Sequence, residues 1–168
     1  MPTVMSWPEW ARHDAMSLAA LVRQGQLTPA ELASQVAAGI AMVNPTLNAV
    51  IEVFDDVVEN PLKDGMCPEG PFAGVPYLMK DLGPMLKGRR QELGARLMAG
   101  HVAPHDSFLT TRIRAAGLNI MGRTTTPEFG VCASPENPRV YVTRNPWNLA
   151  YTTGGSSAGT GAIVAAGV

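Results

Sequence analysis

The chain has 168 residues, 46% hydrophobic and 16% charged, with a formal net charge of -1. That is enough chain to bury a real core and too apolar for a disordered one. The near-neutral balance gives no electrostatic case for nucleic acid or an anionic membrane surface as a partner.

Asp14 caps a short helix that carries Leu18, Leu21 and Val22 on one face and stops near Gly25. Thr28, Pro29, Ala30 and Glu31 form a capping box with proline in the first turn. The helix they open repeats Leu32, Val36, Ile40 and Val43 at helical spacing and is expected to end at Asn44 and Pro45. The two helices are expected to pair as an antiparallel hairpin over about 14–43, ahead of a sheet-containing part over about 49–168. Residues 49–54 are a compact apolar run, the pattern of a buried strand. Residues 55–70 hold Asn60 with Pro61, Asp64 with Gly65, and Pro68, and read as turns and loop. Residues 75–81 are a second apolar run, ending in the charged pair Lys80 and Asp81. Asp106 opens a helix through Leu109, Ile113 and Ala116 that stops at Gly117, and residues 118–122 follow as a strand. Helix, glycine and strand in that order is the αβ connection of an α/β sheet. Residues 124–153 read mostly as loop. A glycine-dense stretch, GGSSAGTG at 154–161, then leads into apolar residues 162–168, which read as a buried helix.

Cys67 and Cys132 give no disulfide framework and no CxxC pair, and His13, His101 and His105 lack metal-ligand spacing. No metal or cofactor is expected. The first ten residues carry no basic or apolar signal-peptide region, and no uncharged apolar run reaches the ~18 residues of a membrane helix. A cytoplasmic, reduced setting is the expectation.

Two features could carry chemistry. Lys80 ends an apolar run, where desolvation would lower its pKa and make it a base near neutral pH. Against that stands the plainer reading that Lys80 pairs with Asp81 and is solvated. The glycine-dense loop could bring backbone close to a ligand and aim helix N–H groups at an anion. It is not a Walker phosphate loop, because Thr160, Gly161 and Ala162 supply no lysine. Residues 155–159 do satisfy G-x-S-x-G with Ser157 central, so an esterase with Ser157 as nucleophile is one alternative, although residues 148–153 make a poor strand before it. A glycine-rich turn for close helix packing is another.

Taken together, the segments are similar to the amidase signature family. The resemblance rests on GVPYLMKD at 74–81, GRTTTPEF at 122–129, TRNPW at 143–147 and GGSSAG at 154–159, with NPTLNA at 44–49 after the helix pair. It implies an α/β fold, the N-terminal part of an α/β/α domain with a mixed sheet. It implies hydrolysis of carbon–nitrogen bonds in linear carboxamides by Ser-Ser-Lys chemistry. Lys80 would be the base and Ser156 the proton relay, with a cis peptide between Gly155 and Ser156. Gly154, Gly155, Ser157 and Phe129 would face a small-molecule amide substrate. Tyr77, Met79 and Cys132 could line the near side of its pocket, although core packing explains them equally well. Three positions depart from the family pattern: Ala158 stands where glycine or serine is usual, Arg123 where lysine is common, and Thr125 where asparagine is common.

The family's nucleophilic serine and oxyanion hole belong to a second glycine-rich turn beyond this loop. The chain is therefore expected to be a truncated portion of one amidase-signature domain, inactive alone. Its expected partners are the missing C-terminal part or a second copy. A non-catalytic homologue, or one component of a larger assembly such as an amidotransferase, is the remaining alternative.

Overall fold

The computed structural model describes residues 3–134 and 142–168. Residues 135–141 of the expected loop lie outside the described residues.

Local chemistry sets the N-terminal helices. A short helix, α1 (Trp7–Trp10), follows Ser6, whose hydroxyl accepts the Glu9 N–H at 3.4 Å. The hydrophobic pattern gave no sign of it. It seats Trp10 in the core. Helix α2 (Ala15–Arg23) begins at the Asp14 cap, where Asp14 and Ser17 satisfy each other's backbone N–H groups. Helix α3 (Pro29–Leu47) opens at the expected capping box of Thr28 and Glu31. It runs past Asn44 and Pro45, where the sequence suggested it would end. Pro45 sits in the last turn and removes one backbone donor from the helix there. Asn48, in the left-handed conformation at φ 50°, closes the helix instead. The Asn44 side chain accepts the N–H groups of Ala49 and Val50, both at 2.8 Å, and so docks the following strand onto the helix end.

Strand β1 (Val50–Val53) forms where expected. The next residues fold as a short helix, α4 (Asp55–Glu59), rather than turn and loop throughout. It has no side-chain cap. Burial of Val57 and Val58 against α3 fixes it, a tertiary effect that the polar local sequence hides. Strand β2 (Pro76–Lys80) is followed by helix α5 (Phe108–Ala115), whose cap is Ser107 rather than Asp106. The Asp106 carboxylate instead accepts the Lys87 backbone N–H at 2.7 Å and pairs with Arg114.

Strand β3 (Asn119–Thr124) is buried along all six residues and occupies the middle of the sheet. It runs antiparallel to β1 and parallel to β2, giving the order β1-β3-β2. Gly122 makes that close fit possible: a Cβ there would lie 2.5 Å from the Glu52 carbonyl oxygen and 3.0 Å from Leu78 Cδ2. Helix α3 packs on all three strands and on helix α6 (Ala158–Ala165). Leu32, Val36 and Ile40 of α3 meet Val50, Met79, Ile120, Met121 and Ile163 in one core. Helix α6 starts four residues before the apolar stretch read as a helix, because Gly159 lets it sit against the Ala49 carbonyl oxygen and the Thr125 amide.

Candidate active site

The parallel pairing of β2 with β3 sets Lys80 beside Thr124 at the sheet's edge, where both strands end. The glycine–serine loop crosses that edge and enters α6. There the Lys80 Nζ donates a hydrogen bond to Ser156 Oγ at 2.6 Å. The two residues are 76 positions apart in sequence. Burial lowers the Lys80 pKa from its ordinary value of 10.5, because the ammonium gives up water without gaining a carboxylate. Among the described residues, no acidic side chain forms an ion pair with it.

Asp81 is not the partner of Lys80 that sequence adjacency suggested. Successive strand residues point to opposite faces, so Lys80 and Asp81 part company. Asp81 is buried, accepts the backbone N–H of Glu92 at 2.9 Å and of Gly94 at 3.2 Å, and pairs with Arg123 at 2.9 Å. The Arg123 side chain is 4% exposed and also reaches Glu52 at 2.8 Å and Glu92 at 2.6 Å. Burial works against its charge, but the surrounding carboxylates and hydrogen bonds outweigh that and raise its pKa. The sequence singled out Arg123 only as a departure from a lysine, so this cluster was missed. Its three carboxylates come from positions 71, 42 and 31 residues away, which leaves no local signal.

The glycine–serine loop holds Gly154, Gly155 and Ser157 of the other expected residues. The Gly155–Ser156 peptide is cis, as the resemblance implies, and Gly154 has φ +71°. Gly155 passes close to the segment after β3: a Cβ there would lie 2.8 Å from the Ala133 carbonyl oxygen and 3.3 Å from Pro127 Cγ. Phe129 belongs to that segment, half-exposed, in a left-handed conformation at φ 50°. Ser157 is exposed at the start of α6 and makes no capping bond with its side chain. The segment before the loop contributes only an isolated bridge between Arg144 and Thr152, not the strand a nucleophile elbow requires. Of the suggested pocket-wall residues, Met79 belongs to the core, Cys132 is exposed, and Tyr77 borders a groove between β2 and the helices. Among the described residues, no cluster of His, Cys, Asp or Glu could hold a metal ion, and no helix is long and apolar enough to cross a membrane.

The fold is thus a mixed α/β sheet whose strand end presents a partly buried lysine hydrogen-bonded to a glycine-loop serine. The profile of the amidase family matches residues 31–168, and the chain belongs to that family, the amidase-signature enzymes. It is 42% identical over 155 residues to 6-aminohexanoate-cyclic-dimer hydrolase of Paenarthrobacter ureafaciens, covering 91% of this chain and 31% of that protein. It is 38% identical over 160 residues to a glutamyl-tRNA(Gln) amidotransferase polypeptide of Symbiobacterium thermophilum, covering 91% of this chain and 33% of the relative. A solved structure of 6-aminohexanoate cyclic dimer hydrolase with substrate superposes with a TM-score of 0.84 at 41% identity, over 94% of this chain and 32% of that one. The chain spans about a third of the length of the curated relatives it matches.

Proposed function

We propose that Lys80 and Ser156 are the proton-handling residues of an amide hydrolase whose attacking serine lies outside these 168 residues. The observation that carries this reading is the 2.6 Å contact between Nζ and Oγ at a lysine that has no carboxylate partner among the described residues. A neutral Lys80 amine would take the Ser156 hydroxyl proton as Ser156 takes one from the nucleophile, and the proton would return to the leaving amine. Gly154, Gly155, Ser157 and Phe129 would border the substrate, a small carboxamide cleaved to acid and ammonia or amine. The chain is then one portion of a single domain, completed by further chain. Its relatives' names make a hydrolase or an amidotransferase component the two contexts for the whole protein.

The test has two parts. Residues 1–168 alone are expected to hydrolyse no aromatic or aliphatic amide. Turnover that survives purification and disappears in Lys80→Ala would overturn that. In a longer chain that includes the second glycine-rich turn, Lys80→Ala and Ser156→Ala should each lower kcat about 10²–10⁴-fold, the range for a lost proton-transfer group. A fluorophosphonate probe that labels Ser157 would replace this reading with an esterase.

A further inference from the structure

We infer that Thr124, Thr125 and Thr126 are positioning residues that fix the Ser156 hydroxyl against the Lys80 amine; this rests on the reading of that pair as the proton relay. The three consecutive hydroxyls are all but fully buried, at 0%, 1% and 0% exposure. Buried hydroxyls are costly unless bonded, and a strand end between Met121 and Pro127 would be filled more simply by valine or isoleucine. Each hydroxyl bonds a different part of the loop machinery. Thr124 Oγ1 meets Thr160 Oγ1 of α6 at 2.8 Å, four residues after Ser156. Thr125 Oγ1 meets Thr143 Oγ1 at 2.7 Å, upstream of the loop, and Thr143 in turn donates to the Asn48 carbonyl at 3.0 Å. Thr126 Oγ1 donates to the Ser156 carbonyl oxygen itself at 3.2 Å.

The other side of the relay is tied to the same residues. Thr124 is the register partner of Lys80, and its carbonyl accepts the Asp81 N–H at 3.1 Å. The Thr125 carbonyl accepts the Gly159 N–H at 3.3 Å. One strand end therefore holds the lysine through the sheet ladder and the serine loop through its side chains, before, within and after the loop. The separation between amine and hydroxyl is set by that shared support. Proton transfer needs such support, because a relay hydroxyl displaced by an ångström no longer bridges donor and acceptor.

The chain has three lysines, Lys63, Lys80 and Lys87, so labelling with ¹³C,¹⁵N-lysine gives one signal for each. Two readouts are used: the Lys80 titration, and the nuclear Overhauser contact between Lys80 Hε and Ser156 Hβ. The charged groups around the Lys80 end of β2 are Asp81, Arg89, Arg90 and Arg123. Asp81 stays with Arg123, itself held by Glu52 and Glu92, and Arg89 stays with Asp56 and Asp64, so the threonine substitutions leave those pairs intact.

Thr126→Val and Thr124→Val should each raise the Lys80 midpoint toward 10.5, as the loop loosens and water returns, and weaken the Lys80–Ser156 contact. Thr126→Ser should keep both. Thr110→Val is the control: it removes an equally buried hydroxyl, bonded to the Met85 carbonyl at 2.6 Å, and should lower stability without moving Lys80. A Lys80 midpoint and Overhauser contact unchanged in both valine variants overturn the inference, even where the shifted lysine of the parent chain upholds the base reading. An unshifted Lys80 in the parent sinks the base reading, and the Overhauser contact then decides alone: retained in the valine variants it overturns the inference, lost it supports it. A valine variant that does not fold is replaced by Thr126→Cys, a similar volume with a weaker donor, under the same two readings.

Discussion

Two cations lie near the ends of β2 and β3, one register step apart, and the fold treats them in opposite ways. Arg123 is surrounded by Glu52, Asp81 and Glu92 and is nearly sealed from solvent. Lys80 is partly buried and, among the described residues, has a single hydroxyl for company. A guanidinium cannot shed its proton at any accessible pH, so burying it demands carboxylates. An ammonium can, and leaving it without a carboxylate is what allows it to. The first cluster holds its charge with carboxylates, while burial in the second lowers the lysine's pKa. The Arg123 cluster also serves the lysine, since it engages the carboxylate next in sequence to Lys80.

Removing the arginine should have the largest effect. Arg123→Met strands three carboxylates and should cost about 3–5 kcal/mol in urea unfolding, with Arg123→Lys recovering part of it. A loss no larger than the ~1 kcal/mol of a surface pair would mean that the cluster does not hold charge in the way described. Gly159→Ala tests the other side. Its Cβ would meet the Ala49 carbonyl oxygen and, at 2.5 Å, the Thr125 amide, so α6 must shift. Unfolding should show a loss of about 1–3 kcal/mol, with the Lys80–Ser156 contact disturbed and the Arg123 cluster intact. If both clusters change together, they are not separate devices.

Smaller effects appear in the pH dependence of stability, at opposite ends of the scale. The folded Lys80 pKa lies below 10.5 because of burial. Below the folded value both states bind the proton, and the fold carries the whole cost of the desolvated ammonium. Between the folded value and 10.5 only the unfolded chain binds it, so stability rises with pH, and above 10.5 the cost is gone. Lys80→Met should abolish that rise, and a difference between the two chains that stays flat into alkaline pH would refute it. For Glu92, burial pushes the pKa up but the Gly100 N–H and Arg123 outweigh it, leaving the value below 4.5. Its contribution is present above 4.5 and lost as pH falls through the folded value, and Glu92→Gln should flatten that acid limb. The smallest expected effect is Gly161→Ala. Nothing lies within 4 Å of the added methyl, and replacing a helix-interior glycine should stabilise by about 0.5–1 kcal/mol in thermal unfolding.

Much of this was legible in the sequence wherever cause and effect lie close along the chain. The caps at Asp14 and Thr28, the two apolar strands and the αβ connection at Gly117 were read from neighbouring residues. Helix α4 was not, since its stability comes from burial of Val57 and Val58 against α3 rather than from its own polar sequence. The extension of α3 through Pro45 depended on where Asn48 would turn. In the site, Lys80 and Ser156 were legible as a pair only through the family resemblance, and the structure sets them 2.6 Å apart. The companions of Arg123 and the threonine contacts were not legible, because strand register and loop path decide them. Asp81 shows the difference most plainly: adjacent to Lys80 in sequence, it pairs instead with Arg123 and the Glu92 and Gly94 amides.

The span of 76 residues between Lys80 and Ser156 also has a consequence for the order of events during synthesis. The caps of helices α2 and α3 draw on near neighbours, Asp14 with Ser17 and Thr28 with Glu31. Contacts that close loops of this length come later, because the chain must give up the freedom of the intervening segment first. A ribosome that has delivered β2 has delivered only an ordinary hydrated ammonium. The Lys80 amine can meet Ser156 Oγ only when β3 has taken its place between β1 and β2 and the glycine–serine loop has arrived, so that contact waits on the whole sheet.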